Sequence, residues 1–221
     1  MSEFIKSYVK RMGRFTEAQK KAYELLADKF IIPVSDNHIN FTEIFENSNS
    51  ITLEIGFGSG FATAQIAQVN PDKNYLGVEV HKPGIGFLLR EIENRSLKNI
   101  KIIEFDAVHV VKKMIPLNSL DAIHIFFPDP WPKKRHRKRR LIQRPFTNNL
   151  VDKLKPDGYL YMVTDWEDYA LHALEELTAA TGLQNCYEDF ALPQSWRPET
   201  RFEKKGLDKE HVIRELMFRK N

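Results

Sequence analysis

Residues 51–60 read ITLEIGFGSG, a short apolar run that leads into three glycines at alternate positions. The apolar run predicts a buried β-strand, because short apolar runs bounded by turn residues are typical of strands in parallel sheets. Gly56, Gly58 and Gly60 predict a tight turn where backbone approaches a ligand, because glycine adopts positive φ without a steric penalty. A helix-forming segment follows over residues 61–69. Strand, turn and helix in this order predict the opening unit of an α/β fold.

The alternation of strands and helices continues along the chain. Further strands are predicted at residues 75–80, 99–105, 120–127, 159–164 and 212–218. Helices are predicted at residues 17–30, after a capping box from Thr16 to Gln19, and at 83–95, 107–115, about 144–154 and 166–181. Such alternation predicts right-handed βαβ units and an open, mostly parallel sheet with helices on both faces. The length of 221 residues suits a single domain, 1–221, in which residues 1–45 form an N-terminal arm and a helix packed on the core.

An acidic residue stands at or near the carboxyl end of each of the first five predicted strands. These residues are Glu54, Glu79, Asp106, Asp129 and Asp165. In open α/β sheets, ligands bind beyond the carboxyl ends of the strands, so the acids predict a ligand site at that edge. A second interpretation is that an Asp here caps the following helix, and it stays open for Asp106 and Asp165.

The pattern around the glycines narrows the class of ligand. The nicotinamide fingerprint G-x-G-x-x-G is not matched, because position 61 is Phe, and the phosphate-binding pattern G-x-x-x-x-G-K-[ST] is absent from the chain. Carboxylates at the strand ends would also repel the phosphates of a dinucleotide or of ATP. Glu79 can accept hydrogen bonds from ribose hydroxyls, and Asp106 from an adenine amine. The pattern therefore favours a nucleoside with a positive centre and no phosphate, and S-adenosylmethionine is such a ligand.

Residues 128–140, PDPWPKKRHRKRR, follow the fourth strand and concentrate positive charge. Positions 133–140 hold seven of the 33 Lys and Arg residues, which leaves 26 against 30 Asp and Glu elsewhere, although the net charge is only +3. A localised cationic run favours a polyanionic partner such as an RNA backbone, although many charge runs are merely solvated surface. Trp131, between two prolines, is interpreted as a brace for the turn in preference to a platform for a stacked base.

Several classes of protein are disfavoured by composition. The single cysteine, Cys186, allows no intramolecular disulfide and no cysteine-based zinc site, and no metal is expected. No secretory signal and no apolar run of about 20 residues is present, so no membrane partner is expected. The expected location is the cytoplasm.

The sequence resembles the bacterial tRNA (guanine-N7-)-methyltransferases over nearly its whole length. The segments that carry the resemblance are SYVKRMGR at 7–14, LEIGFGSG at 53–60, GVEVH at 77–81, FFPDPWPK at 126–133 and TRFE at 200–203. The glycine segment is shared by many methyltransferases, whereas FFPDPWPK and TRFE are far more specific. The resemblance implies the Rossmann-like class I methyltransferase fold with a mostly parallel seven-stranded sheet. It also implies S-adenosylmethionine as cofactor and tRNA as substrate, with the target at guanine 46 of the variable loop.

The resemblance also implies roles for individual residues. The cofactor would be bound by Glu54, Gly56, Gly58, Glu79, Asp106 and Asp129, and Asp129 would also be the catalytic residue. The residues that would contact the substrate are Lys133, Asp165, Thr200, Arg201, Phe202 and Glu203. The RNA backbone would be held by Arg135, Arg137, Lys138, Arg139 and Arg140. Family members occur as monomers and as homodimers, so both states remain open.

The chemistry of guanine N7 matches the residue types. N7 carries a lone pair and no proton, so its methylation needs no general base, and no histidine–carboxylate pair is expected at the strand ends. Asp129 is interpreted as an orienting and electrostatic residue, and Asp165 and Glu203 as acceptors for the guanine N–H groups. Two other classes stay open: a methyltransferase of another RNA or of protein, and an RNA-binding protein without catalysis. A dehydrogenase is disfavoured by the glycine spacing.

Overall fold

The computed structural model describes residues 6–9, 13–199, 203 and 211–221. Its strands are β1 (Ser50–Ile55), β2 (Lys73–Glu79), β3 (Ile100–Glu104), β4 (Leu120–Phe126), β5 (Leu154–Thr164), β6 (Leu183–Asn185) and β7 (Arg214–Lys220). They form one seven-stranded sheet in the order β3-β2-β1-β4-β5-β7-β6. Strands β1 to β5 are mutually parallel, and β7 is antiparallel to both β5 and β6. The predicted fold class is confirmed.

Helices cover both faces of the sheet. They are α1 (Glu17–Phe30), α2 (Phe41–Phe45), α3 (Phe61–Val69), α4 (Lys82–Asn94), α5 (Ala107–Lys113), α6 (Phe146–Lys153) and α7 (Glu167–Thr178), with a 3-10 helix at Lys134–Arg139. One apolar layer packs α5, α6 and α7 against the sheet, and the other packs α1, α3 and α4. The parallel strands are buried on both sides, which is why they read as apolar runs and not as alternating patterns.

The chain crosses from one half of the sheet to the other between β3 and β4. Strand β1 lies at the centre, with β2 on one side and β4 on the other. This reversal of strand order opens a crevice at the carboxyl ends of β1 and β4, where open α/β sheets bind their ligands. The glycine turn after β1 and the PDPWP segment after β4 both lie at this crevice.

Most predicted elements are present within a few residues of their expected bounds. The capping box is confirmed: the Thr16 hydroxyl accepts from the Gln19 N–H at 3.3 Å, and the Thr16 N–H donates to the Gln19 side chain at 2.8 Å. Three short elements were not predicted, namely α2, the 3-10 helix and β6. Each spans six residues or fewer, too short for a periodic pattern. No helix in the described part of the chain is long and apolar enough to cross a lipid bilayer.

Candidate active site

The strand-end acids share one edge of the sheet. Residues Ile55 and Val78 are register partners in β1 and β2, and Glu79 pairs with Glu104 in β3. Phe126 of β4 pairs with Val163 of β5, so the segments that carry Asp129 and Asp165 leave the sheet side by side. Parallel register therefore places all five acids along the carboxyl edge, as the ligand-site prediction requires.

The glycine turn is tied to the neighbouring strand and helix through backbone atoms. Gly58 N–H donates to Oε2 of Glu79 at 2.9 Å, which joins the turn to the end of β2. Gly58 has a φ of +59°, in the left-handed region that favours glycine. A Cβ added at Gly84 in α4 would lie 1.9 Å from the Gly58 carbonyl oxygen. The turn and α4 can approach this closely only because position 84 is glycine.

The Glu79 carboxylate is held by three backbone donors. Besides Gly58, the N–H groups of Val80 and His81 donate to Oε1 at 2.7 and 3.1 Å. Burial raises the pKa of Glu79, and these hydrogen bonds, which favour the charged form, offset part of the rise. A carboxylate fixed in this way keeps accepting capacity on Oε2, which suits a hydrogen bond from a ribose hydroxyl.

Glu54 is the most deeply buried of the five acids. Its side chain is on the face of β1 that packs against α3, and the residue is 2% exposed. The pKa of Glu54 is raised to about 7, chiefly by burial; the Thr63 hydroxyl lowers it, and the nearby Glu79 carboxylate adds to the rise. An ionised carboxylate in such a place is stabilised by a cation bound nearby. Glu54 therefore suits a ligand that carries positive charge.

A cleft of about 500 Å³ lies beyond the ends of β2 and β3. Its lining combines aromatic and apolar surface from Tyr8, Val80 and Phe105 with the acid Asp106. Oδ1 of Asp106 accepts from the N–H groups of Val108 and His109 at 2.9 and 3.1 Å. The helix-capping interpretation is thus confirmed for Asp106, and the cap employs a single carboxylate oxygen.

The PDPWP segment makes a stiff turn after β4. Phe127, just before it, and Trp131, within it, have φ values of +49° and +47°, an uncommon conformation for residues other than glycine. The Phe127 N–H donates to the Val163 carbonyl at 2.8 Å, and the Trp131 indole donates to the Ser7 carbonyl at 3.0 Å. The indole therefore joins the turn to the N-terminal segment, which agrees with the bracing interpretation of Trp131. Asp129 is exposed at the tip of the turn.

Arg140 requires a correction to the predicted RNA-contacting set. Its side chain is 1% exposed, and the guanidinium pairs with the carboxylate of Asp168. Nε donates to the carbonyl of Pro130 at 3.0 Å, and the guanidinium lies 4.9 Å from the centre of the Tyr169 ring. A buried, paired arginine cannot also bind a phosphate at the surface. Arg140 instead holds the turn that carries Asp129 against α7.

The other cations of the run lie on or beside the 3-10 helix. Lys133, Arg135 and Lys138 are exposed. Arg137 is also exposed but reaches the Asp168 carboxylate at 2.9 Å, and Arg139 lies over the Trp131 ring at 4.9 Å. The structure thus divides this cationic run into an outer cationic surface and the buried Arg140, which holds the turn. Sequence reasoning missed this division because Lys and Arg spacing alone does not reveal the burial of Arg140.

A histidine–carboxylate pair stands at the end of β5, contrary to the sequence expectation. Nδ1 of His211 lies 3.1 Å from Oδ2 of Asp165. The two residues line a second cleft, of about 420 Å³, together with Trp166 and Arg214. Capping of α7 by Asp165 is wrong, since α7 begins after Trp166 with no side-chain cap. The two partners are 46 positions apart in sequence, which explains why no local pattern indicated the pair.

Glu203 is buried and belongs to an ionic cluster. Both of its carboxylate oxygens accept from the guanidinium of Arg197, one of them at 2.8 Å, and the residue is 9% exposed. Arg197 also donates to Glu215 of β7 at 2.7 Å, and Glu215 in turn accepts from the Tyr161 hydroxyl. These contacts give Glu203 an anchoring role, which corrects its prediction as an acceptor for guanine. Thr200, Arg201 and Phe202 lie outside the described residues.

The residues at this edge fit S-adenosylmethionine. A buried Glu54 with a raised pKa matches a cationic ligand, and Glu79 matches a ribose. Asp106 and the aromatic surface of the first cleft match an adenine. Glu54, Gly56, Gly58, Glu79, Asp106 and Asp129 would hold the cofactor. No group of three His, Cys, Asp or Glu side chains within the described ranges is arranged to hold a metal ion.

Comparisons with known proteins show which family this chain resembles. A family model described as "Putative methyltransferase" matches residues 48–216. The tRNA (guanine-N(7)-)-methyltransferase of Nitrosomonas eutropha is 49% identical over 98% of this chain and 96% of its own length. The enzyme of the same name from Nitrosomonas europaea is 48% identical over 97% of this chain and 96% of its own.

Solved structures support the fold at much lower sequence identity. An antibiotic-related methyltransferase superposes with a TM-score of 0.58 at 18% identity, covering 87% of this chain and 96% of that one. The 16S rRNA methyltransferase KamB gives a TM-score of 0.58 at 13% identity, covering 96% and 97%. These similarities extend to the fold alone, whereas the Nitrosomonas relatives extend to the whole sequence. The chain belongs to the tRNA (guanine-N7-)-methyltransferase family.

Proposed function

We propose that the protein transfers the methyl group of S-adenosylmethionine to N7 of guanine 46 in the variable loop of tRNA, in the cytoplasm. The observation that carries the proposal is the acid-lined carboxyl edge of the sheet directly beside an exposed cationic helix. The acids suit a cationic nucleoside, and the cations suit a nucleic-acid backbone. Relatives at 48–49% identity that carry this enzyme name add support for the same reaction.

The reaction requires orientation and charge stabilisation more than proton transfer. The bound cofactor supplies a methyl group on a positively charged sulfur. Guanine N7 attacks with its lone pair, so the C–N bond forms as the C–S bond breaks and the positive charge passes to the purine. Asp129, at the tip of the turn after β4, would oppose the charge that develops on the base. Arg140 and Trp131 would keep that turn in place, since small misplacements are costly in a positioned reaction.

Recognition of the base would involve the adjacent strand end. Guanine carries two donors on its six-membered ring, N1–H and the 2-amino group, whereas adenine presents an acceptor at N1. Asp165, beside the Asp129 turn, can accept from the guanine donors and would therefore favour guanine over adenine. Lys133, which is exposed after the turn that carries Asp129, would contact the bound nucleotide.

The cationic surface would hold the RNA backbone. N7 faces the deep and narrow major groove of A-form RNA, so the target guanine has to be in a loop or turned out of a helix. Arg135, Arg137, Lys138 and Arg139 would bind phosphates around such a loop without reading sequence. A variable loop satisfies both requirements.

The experiment compares two tRNA transcripts that differ in a single atom of the target base. One transcript carries guanine at position 46, and the other carries 7-deazaguanine, in which a C–H replaces N7. Labelled methyl groups should enter the first transcript and not the second. Equal incorporation into both would rule out N7 of that base and point to another atom or another nucleotide. No incorporation into either transcript, with cofactor bound, would favour another RNA or a protein substrate.

A further inference from the structure

The cleft beyond β5 contains three acidic residues whose partners differ in kind. Glu167 pairs with Arg214 at 2.6 Å, and Asp168 pairs with Arg137 and Arg140. Asp165 instead lies against the imidazole of His211, with 3.1 Å between Oδ2 and Nδ1. The positive charges of the arginines offset the negative charges of Glu167 and Asp168. The imidazole can donate a hydrogen bond to the Asp165 carboxylate through Nδ1–H and so hold it in place.

The His211–Asp165 pair is half-buried and has a defined orientation. The side chains are 34% and 29% exposed, and the edge of the His211 ring meets Trp166 at 6.3 Å between ring centres with an interplanar angle of 79°. With the proton on Nδ1, His211 donates to Oδ2 of Asp165. The other carboxylate oxygen, Oδ1, is then the acceptor that can face the cleft.

We propose that His211 is a positioning residue that orients the Asp165 carboxylate toward the N1–H and 2-amino edge of the target guanine. The inference rests on the proposed function and adds to it the residue that orients the selective Asp165 carboxylate. The hydrogen bonds that Asp165 accepts grow stronger as N7 becomes methylated, because positive charge on the purine makes its N–H groups better donors. Interactions that strengthen in the transition state raise the rate of the chemical step, so His211 influences both selectivity and turnover.

The chain offers variants that separate orientation from mere packing. His211→Asn keeps an amide N–H close to the position of Nδ1, whereas His211→Phe keeps a planar ring and removes the donor. His38→Phe is the matched control, because His38 is exposed in the segment before α2. Asp165→Asn removes the negative charge that His211 is proposed to orient.

The experiment measures kcat/KM for tRNA transcripts with guanine or inosine at the target position. Inosine retains N1–H and lacks the 2-amino group. For His211→Phe we expect a loss of about 10- to 100-fold with guanine and a much smaller loss with inosine, because a hydrogen bond to a charged group is removed. The guanine-to-inosine ratio should therefore fall toward one. His211→Asn should recover most of the ratio, and S-adenosylmethionine affinity and the melting temperature should match those of His38→Phe.

Double substitution supplies a further test of coupling. If His211 acts through Asp165, His211→Phe should cost little in the Asp165→Asn background. Three outcomes would each overturn the inference and leave the proposed function intact. The first is an unchanged guanine-to-inosine ratio in His211→Phe, and the second is an equal loss of activity in His211→Asn and His211→Phe. The third is full additivity of His211→Phe with Asp165→Asn. A wild-type protein that methylates no tRNA guanine would overturn both.

Discussion

Nε of Arg140 donates a hydrogen bond to the carbonyl oxygen of Pro130 at 3.0 Å, within the turn whose tip is Asp129. The same guanidinium pairs with Asp168 and lies on the Tyr169 ring, so α7 and the turn are joined through one buried side chain. A residue inside the most cationic segment of the chain thus fixes the geometry of the acid beside it. Arg140 therefore has a structural role, whereas Arg135, five positions earlier in the sequence, is exposed.

Arg140→Gln and Arg135→Gln should therefore have different effects. Loss of the buried hydrogen bonds in Arg140→Gln should lower the free energy of unfolding by about 1–3 kcal/mol. It should also reduce turnover by about 10-fold or more, because the Asp129 turn is no longer held. Arg135→Gln should leave both quantities near wild type and weaken RNA binding. Thermal melting, single-turnover rates and tRNA binding would measure these effects, and identical profiles for the two variants would contradict the division.

The buried Glu54 predicts a pH dependence of cofactor binding. Its pKa is raised to about 7, so a proton occupies the carboxyl below that pH and must leave before a cation is bound beside it. Affinity for S-adenosylmethionine should rise as pH increases from about 6 to 8 and then level off. Calorimetry in buffers of different ionisation enthalpy should detect proton release near pH 7. Glu54→Gln should bind more weakly and lose the pH dependence, and a persistent pH dependence in that variant would contradict the assignment.

The same carboxyl also affects stability, with a definite sign. A carboxyl whose pKa is raised on folding favours the folded state most at pH values below its unfolded pKa of 4.5, and this contribution is lost as pH rises to about 7. The total change corresponds to about 3 kcal/mol, from about 1.4 kcal/mol for each unit of pKa. Glu54→Gln should therefore be more stable than wild type at pH 8 by an amount of that order and should show little advantage at pH 4. Denaturant unfolding at the two pH values provides the comparison.

Salt dependence tests the outer cationic surface. Arg135 and Lys138 are exposed on the 3-10 helix, and each phosphate contact contributes about 0.7 to 0.9 to the slope of log affinity against log salt concentration. Replacing both residues with Gln should weaken tRNA binding and reduce the slope by about 1 to 2. S-adenosylmethionine binding should stay at the wild-type level. An unchanged slope would exclude this surface from RNA binding.

Gly84→Ala tests the close approach of α4 to the glycine turn. Alanine favours helices over glycine by about 1 kcal/mol, so an unhindered position would gain stability. Here the new Cβ would lie 1.9 Å from the Gly58 carbonyl oxygen, and backbone must move to admit it. Overpacking of this kind costs about 1–3 kcal/mol, and S-adenosylmethionine affinity should fall because the turn shifts. Asn94→Ala, at the exposed end of the same helix, is the control. Normal cofactor binding by Gly84→Ala would show that the turn tolerates the displacement.

The fold was predictable because local signals and global topology agree. The capping box at Thr16, the glycine turn after β1 and the apolar parallel strands each specify their own structure and also fit a parallel sheet. The predicted topology alone was enough to predict that the strand-end acids lie along one edge of the sheet. What the sequence did not reveal are side-chain partners across long separations: Arg140 with Asp168, Glu203 with Glu215 through Arg197, and Asp165 with His211. Burial in the folded chain, and not residue type, decides whether such a charge binds substrate or holds the structure together.

The most direct test of the account is methyl transfer from labelled S-adenosylmethionine to tRNA that lacks N7-methylguanosine, followed by chemical cleavage of the chain at N7-methylated guanine. We predict incorporation with cleavage at a single variable-loop guanine, and loss of both in Asp129→Ala by roughly 100-fold or more, as for removal of a preorganised electrostatic group. Methyl incorporation without cleavage at that guanine would contradict the account. So would an Asp129→Ala variant that turns over at the wild-type rate with cofactor and tRNA bound.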